Sequence, residues 1–127
     1  MPTTSAAGAA PAAPPGVPFV LYALRGRVYA SNIKQKLVDL GHLARDGEDG
    51  GFAYLLDGDQ STGSGFATAL QALEHIAQTT TFLFLDGQFT ALEDLGGADR
   101  PDLADAPRLE VTLDPLGRGE KVIDTQA

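Results

Sequence analysis

The stretch SNIKQKLVDLGHLARDG, residues 31–47, decides which fold the sequence predicts. Its apolar residues lie four, three and four positions apart, which places side chains on one face of a helix: Ile33, Leu37, Leu40 and Ala44. Ser31 or Asn32 precedes the pattern as an N-cap residue, and Gly47 follows it as a stop signal. The spacing therefore predicts an amphipathic helix.

The segments around this stretch extend the pattern of strands and helices. Apolar runs between turn residues predict strands at 17–26 and 51–58, and a second amphipathic pattern predicts a helix at 65–78. Residues 79–95 indicate a hairpin with Asp86-Gly87 as its type I′ turn, and 108–124 indicate a final hairpin. Alternating strands and helices favour an α/β (or α+β) fold. We expect a small two-layer domain with a β-α-β-α-β core and antiparallel C-terminal hairpin strands.

Part of the chain also resembles another part of itself. LVDLGHLA at 37–44 aligns with LQALEHIA at 70–77, and the same shift places Ser31 on Ser64. The alignment predicts two strand–helix units of the same build, followed by a third strand at 82–85. Two helices cover only one face of such a sheet. The C-terminal hairpin, the N-terminal tail or a second copy of the protein must therefore cover the other face, and we favour a homodimer.

Composition limits the classes of protein to consider. Residues 1–16 are rich in alanine and proline and predict a disordered tail, which leaves 17–127 as a single domain with an acidic loop at 96–107. The chain has no cysteine, so disulfides, zinc–thiolate sites and thiol catalysis are excluded. No apolar run approaches the roughly 20 residues of a membrane span. We expect a soluble, cytoplasmic protein.

The charge is negative overall and uneven along the chain. The net charge of −8 makes nucleic acid an unlikely partner, because contacts to phosphate dominate that affinity. Residues 1–45 nevertheless carry +4, whereas residues 46–105 carry −11. Such polarity is typical of two solvated faces of opposite sign, and it would also steer a charged partner.

The two strand-to-helix joints are the candidate binding sites. In the first joint, cations surround the predicted helix start and would attract a phosphate or an acidic peptide: Arg25, Arg27, Ser31, Lys34 and Lys36. In the second, the backbone N–H groups of Gly63, Ser64 and Gly65 would face an anion. The simpler interpretation of the second joint is that Ser64 caps the helix and the glycines permit the turn.

Other chemistry finds little support in the sequence. The DGDQSTGSGF loop at 57–66 lacks the glycine and the glutamate that a calcium loop requires, and it is too long for a dinucleotide fingerprint. His42 and His75 are predicted on helix surfaces, opposite the apolar stripes. No catalytic residues, cofactor or metal site are predicted, because no nucleophile, base and orienting group occur together.

The sequence therefore predicts a small non-enzymatic interaction or regulatory protein that forms a homodimer. Two alternatives remain open. One is a sensor that binds an anion or nucleotide at a strand-to-helix loop. The other is an acidic mimic that occupies the basic surface of another protein. The twelve acidic residues within 46–105 suggest this alternative.

Overall fold

The computed structural model describes residues 16–45, 51–96, 101–114 and 122–126. Within these ranges there are seven strands and two α-helices, in this order: β1 (Val17–Leu24), β2 (Arg27–Ser31), β3 (Leu37–Arg45), β4 (Phe52–Leu56), β5 (Thr62–Phe66), α1 (Ala69–Thr79), α2 (Phe82–Ala91), β6 (Arg108–Leu113) and β7 (Val122–Gln126). The strands form one antiparallel sheet in the order β5-β4-β3-β2-β1-β6-β7. The α+β alternative is therefore confirmed, whereas the β-α-β-α-β core is wrong.

The predicted helix at 31–47 is wrong, because Ser31 ends β2 and residues 32–45 form a turn followed by β3; residues 46 and 47 lie outside the described residues. The side-chain oxygen of Asn32 accepts hydrogen bonds of 3.0 Å from the N–H groups of Lys34 and Lys36, which closes the turn. In β3, the pairing with β2 shifts so that Leu40 has no partner residue, which is a β-bulge. The inward-facing residues are consequently Val38, Leu40 and Leu43, spaced by two and then three positions. Of the predicted apolar stripe, only Leu40 faces the helices, whereas Leu37 packs on the opposite side of the sheet and Ile33 and Ala44 are exposed.

The predicted hairpin at 79–95 is also wrong, because residues 82–91 form α2. Thr81 caps this helix, since its side chain accepts a 3.1 Å hydrogen bond from the N–H of Phe84. Phe82, Leu85 and Phe89 pack against the core at helical spacing. A short apolar run such as FLFL fits a strand and a helix equally well, so the sequence pattern did not distinguish them.

Several predicted elements are confirmed. Strands β1 and β4 fall within the segments expected for them. Helix α1 and the antiparallel pair β6–β7 overlap the predicted segments and end one and two residues beyond them. The internal similarity does not extend to structure, however, because 37–44 lie in a strand and 70–77 in a helix. Helix α1 is capped by Thr68 rather than by Ser64.

Both helices pack on one face of the sheet, which we call the inner face. The core between the layers contains side chains that are completely buried, among them Leu21, Val28, Leu73, Ile76 and Leu109. Helix α1 contacts strands on both sides of β1, whereas α2 contacts β3. Burial of these apolar side chains is the main source of stability for this layer pair.

The opposite face, the outer face, is partly covered by the segment between α2 and β6. The Leu95 N–H donates a 2.8 Å hydrogen bond to the Leu37 carbonyl, and a 3-10 turn follows at Pro101–Leu103. Leu103 is 1% exposed and packs with Ala106 against Tyr22. Residues of the predicted acidic loop thus cover apolar sheet surface, a role that we had expected from the hairpin, the tail or a second copy. The predicted tail, apart from Gly16, lies outside the described residues.

Candidate functional site

The five residues of the predicted basic joint lie at two separate places. Arg25 and Arg27 are at the turn between β1 and β2, whereas Ser31, Lys34 and Lys36 are at the turn between β2 and β3. Strand β2 separates the two groups by roughly 13 Å, at about 3.4 Å per residue. No helix begins at Ser31, so the predicted convergence of cations on a helix N-terminus does not occur. The physical reason is the bulged strand described above.

Arg27 belongs to a charged network across β2, β3 and the turn after β4. Its guanidinium forms two-point contacts of 3.0–3.1 Å with the Asp39 carboxylate and a 3.2 Å contact with Asp57. A further 3.1 Å contact joins its Nη1 to His42 Nε2. The hydrogen bond to Asp39 raises the pKa of Arg27. The Arg27 guanidinium is therefore already paired with two carboxylates, one in β3 and one in the turn after β4.

The other predicted site residues of this joint also have structural partners, with one exception. The Lys36 ammonium donates to the Phe89 carbonyl in the last turn of α2, where a cation stabilises the helix dipole. Arg25 lies 3.8 Å from Asp102 in the segment that covers the outer face. Ser31 is buried and hydrogen-bonds to the Tyr22 hydroxyl. Lys34 is exposed and lines a pocket beside α2.

The second predicted joint is an edge strand. Gly63, Ser64 and Gly65 belong to β5, at one end of the sheet order, and α1 begins only after Thr68. The preceding turn is closed by the Asp59 carboxylate, which accepts a 3.0 Å hydrogen bond from the Ser61 N–H. Because no helix starts at Ser64, these residues do not form the predicted helix N-terminal site.

A tyrosine–histidine pair links β4 to α1 on the inner face. The Tyr54 hydroxyl lies 2.7 Å from His75 Nδ1, and the Phe66 ring lies 5.2 Å from the imidazole. Burial raises the pKa of Tyr54. The predicted surface position is correct for His42, which is exposed, whereas His75 is half-buried. Within the described ranges, no three His, Cys, Asp or Glu side chains are placed to hold a metal ion.

Of the three large exposed apolar residues in the described ranges, Ile33 lines a pocket beside α2, and Leu83 follows the lining residue Phe82 in that helix. We call this surface the apolar corner. It comprises Val17, Phe19, Ile33, Phe82, Leu83 and Phe89. Ile33 is 63% exposed at the β2–β3 turn, and Leu83 is 76% exposed in the first turn of α2. The pocket holds 190 Å³ and is also lined by Lys34 and Asp86.

A second concave surface lies on a part of the outer face that Leu95 and residues 101–106 leave open. We call it the outer-face groove, which has a volume of 440 Å³. The residues that matter for its chemistry are Val20, Tyr22, Ser31, Asn32, Arg108 and Glu110. Sequence reasoning missed this groove, because its residues come from strands β1, β2 and β6 and the turn after β2.

Comparison with known proteins yields no relative on which to base a function. No family model, curated protein or solved structure matches this chain. Among the described residues, no helix has the length and apolar character needed to cross a membrane.

Proposed function

We propose that this chain is a non-enzymatic interaction protein that associates with a second copy of itself through the apolar corner. The observation that carries the proposal is the exposure of two large apolar residues in this region. Ile33 lines a pocket with aromatic walls, and Leu83 follows the lining residue Phe82 in α2. Phe19 lies 5.6 Å from Phe89 and 6.0 Å from Phe82, measured between ring centroids. Exposed apolar residues grouped in this way are typical of protein interaction sites.

Helix α2 supports this interpretation by its sequence as well as by its position. Its first four residues are all apolar, Phe82 to Leu85, although only Leu85 among them is fully buried. A helix with apolar side chains on several sides is typical of a helix that is covered on several sides. The core covers one side, and a partner would cover the side that carries Leu83.

The charges at the corner favour a second copy as that partner. Lys34 and Asp86 carry opposite charges and line the same pocket, where both side chains are exposed. In a two-fold symmetric dimer each contact occurs twice, so Lys34 of one copy can face Asp86 of the other in both directions. An apolar centre with a mixed-charge rim is also the usual composition of an interface.

Sedimentation equilibrium of the full chain tests the proposal. We expect a monomer–dimer equilibrium over a concentration series of about 1 to 100 μM. This series brackets the dissociation constant of a transient interface of standard size. The substitution Leu83→Gln removes one buried side chain from each copy. It should therefore weaken dimerisation by about 3–6 kcal/mol, since burial of each of the two leucines contributes about 1.5–3 kcal/mol.

Leu55 provides the matched control. It is the third exposed large apolar residue, at 37% exposure, and it lies in β4 away from the corner. Leu55→Gln should leave the association constant unchanged. A chain that sediments as a monomer throughout the series, or equal weakening by both substitutions, would disprove the proposed interface. The anion sensor, the acidic mimic and the cytoplasmic location stay predictions.

A further inference from the structure

We propose that the outer-face groove binds a small zwitterionic molecule of the amino-acid class. Its carboxylate would contact Arg108 and its ammonium group would contact Glu110. This inference does not require self-association, because its two charged groups lie on β6 rather than on α2, although Asn32 and Ile33 line both pockets. The volume of 440 Å³ is within the range of about 300–1,000 Å³ that is usual for small-molecule sites.

Two buried hydroxyl groups form the polar base of the groove. Tyr22 is 4% exposed and Ser31 is 3% exposed, and their oxygens lie 3.1 Å apart. Two hydroxyls carry two hydrogens, and the bond between them uses only one. Neither hydroxyl has a further partner among the described residues, so one donor remains available to a molecule in the groove. The base of the groove is therefore polar and can donate one hydrogen bond to a bound molecule.

Arg108 supplies a cation whose position is fixed. Its Nη2 donates to the carbonyls of Leu103 and Ala104, the second at 2.8 Å, and its guanidinium lies 5.3 Å from the centre of the Tyr22 ring. Two of the five guanidinium N–H groups are thereby used, which leaves Nε and Nη1 for a ligand. Among the residues whose side chains the structure describes, none has a carboxylate paired with Arg108. A ligand carboxylate would complete this site with charge-assisted hydrogen bonds.

Glu110 supplies the complementary anion two residues further along β6. It lines the same groove, is only half-buried, and forms no ion pair with a described residue. Opposite charges that share a groove without pairing with each other match a ligand that carries both charges. The oxygen of the Asn32 side chain is occupied by two backbone N–H groups, so its amide NH₂ is the group that it can offer to the groove.

Titration of the ¹⁵N-labelled full chain with each proteinogenic L-amino acid tests this proposal. We expect at least one amino acid to cause saturable chemical-shift changes at the amides of Val20, Ser31 and Glu110. The N-acetyl derivative of that amino acid lacks the ammonium group, and the carboxamide derivative lacks the carboxylate. Each should bind at least about tenfold weaker, because one charged contact is lost.

Variants localise the binding and separate it from self-association. Glu110→Gln should weaken binding at least about tenfold while the spectrum stays dispersed, and Ser31→Ala should weaken it less. Glu93→Gln, at an exposed site after α2, is the matched control and should have no effect. Repeating the titration with Leu83→Gln should give the same affinity. The proposal is overturned if no amino acid causes saturable chemical-shift changes at concentrations up to about 10 mM. That limit would reveal even weak binding, with a dissociation constant of about 1 mM. Equal binding by Glu110→Gln and the wild type would overturn it as well.

Discussion

Replacing Gly87 with alanine tests the assignment of residues 82–91 to a helix, because helix and hairpin turn predict effects of opposite sign. Gly87 lies in the interior of α2 and is exposed. A Cβ atom added at this position meets no other atom within 4 Å, and the backbone φ is not in the left-handed region. The substitution therefore changes backbone freedom without changing packing.

The expected magnitude follows from helix propensity. Alanine is favoured over glycine in a helix interior by about 0.5–1 kcal/mol, because glycine loses more backbone entropy on folding. The free energy of unfolding should rise by that amount and the Tm by roughly 2–6 °C. In a type I′ turn, alanine at Gly87 would instead adopt a left-handed conformation and destabilise the protein by about 1–2 kcal/mol.

Urea denaturation followed by far-UV circular dichroism measures the sign directly. The matched control is Gly26→Ala at the β1–β2 turn. Its added Cβ also meets nothing within 4 Å, but its φ is +79°. This control should lose about 1 kcal/mol through backbone strain alone. A fall in the free energy of unfolding of Gly87→Ala would refute the assignment of α2.

Three further substitutions test other contacts. Lys36→Met removes the ammonium that donates to the Phe89 carbonyl and should lower the free energy of unfolding by about 1 kcal/mol, whereas Lys34→Met should not change it. Leu103→Ala should lower the free energy of unfolding by about 2–5 kcal/mol in a urea assay, because this leucine is 1% exposed. A loss as small as that of a surface substitution would mean that residues 101–106 do not pack on the outer face. Burial raises the pKa of Tyr54 above its ordinary value of about 10, so its contribution to stability is complete below that pH and is lost as the pH rises through the folded-state pKa. Tyr54→Phe should therefore reduce the alkaline loss of stability, and an unchanged stability–pH profile above about pH 10 would contradict this.

The first wrong element is β3, in which apolar residues face both sides of the sheet. The bulge at Leu40 also breaks the strict alternation of the inward-facing residues that a regular strand shows. The predicted stripe therefore combined Leu40 from the inner face, Leu37 from the outer face and the exposed Ala44. Gly41 argued against a helix in this stretch, because glycine in a helix interior is less favourable than alanine by about 1 kcal/mol.

The second wrong element shows the limit of short apolar runs. Residues 82–85 follow Thr81, which is a good N-cap residue, yet Asp86-Gly87 is also a strong hairpin signal. Packing decides between them, because Phe82, Leu85 and Phe89 contact the core together only in a helix. The strands at 17–24 and 52–56 and helix α1 were predictable because their patterns are regular and well bounded.

The candidate sites depend on contacts that a single sequence does not contain. Arg27 and Asp57 are 30 residues apart in sequence, so no spacing rule could indicate their contact. The same holds for the groove, where Tyr22 and Ser31 meet Arg108 from a strand near the C-terminus. The exposure of Ile33 was also hidden, because the predicted helix assigned it to the apolar stripe.

Sedimentation equilibrium of charge-reversed variants is the most direct measurement of the central claim, self-association through the apolar corner. Lys34→Glu or Asp86→Lys alone should weaken dimerisation by about tenfold, since each creates two like-charged contacts across the two-fold axis. The double variant restores opposite charges and should regain the wild-type dissociation constant to within about threefold. Additive weakening in the double variant, or a wild-type chain that stays monomeric at every concentration, would contradict the account.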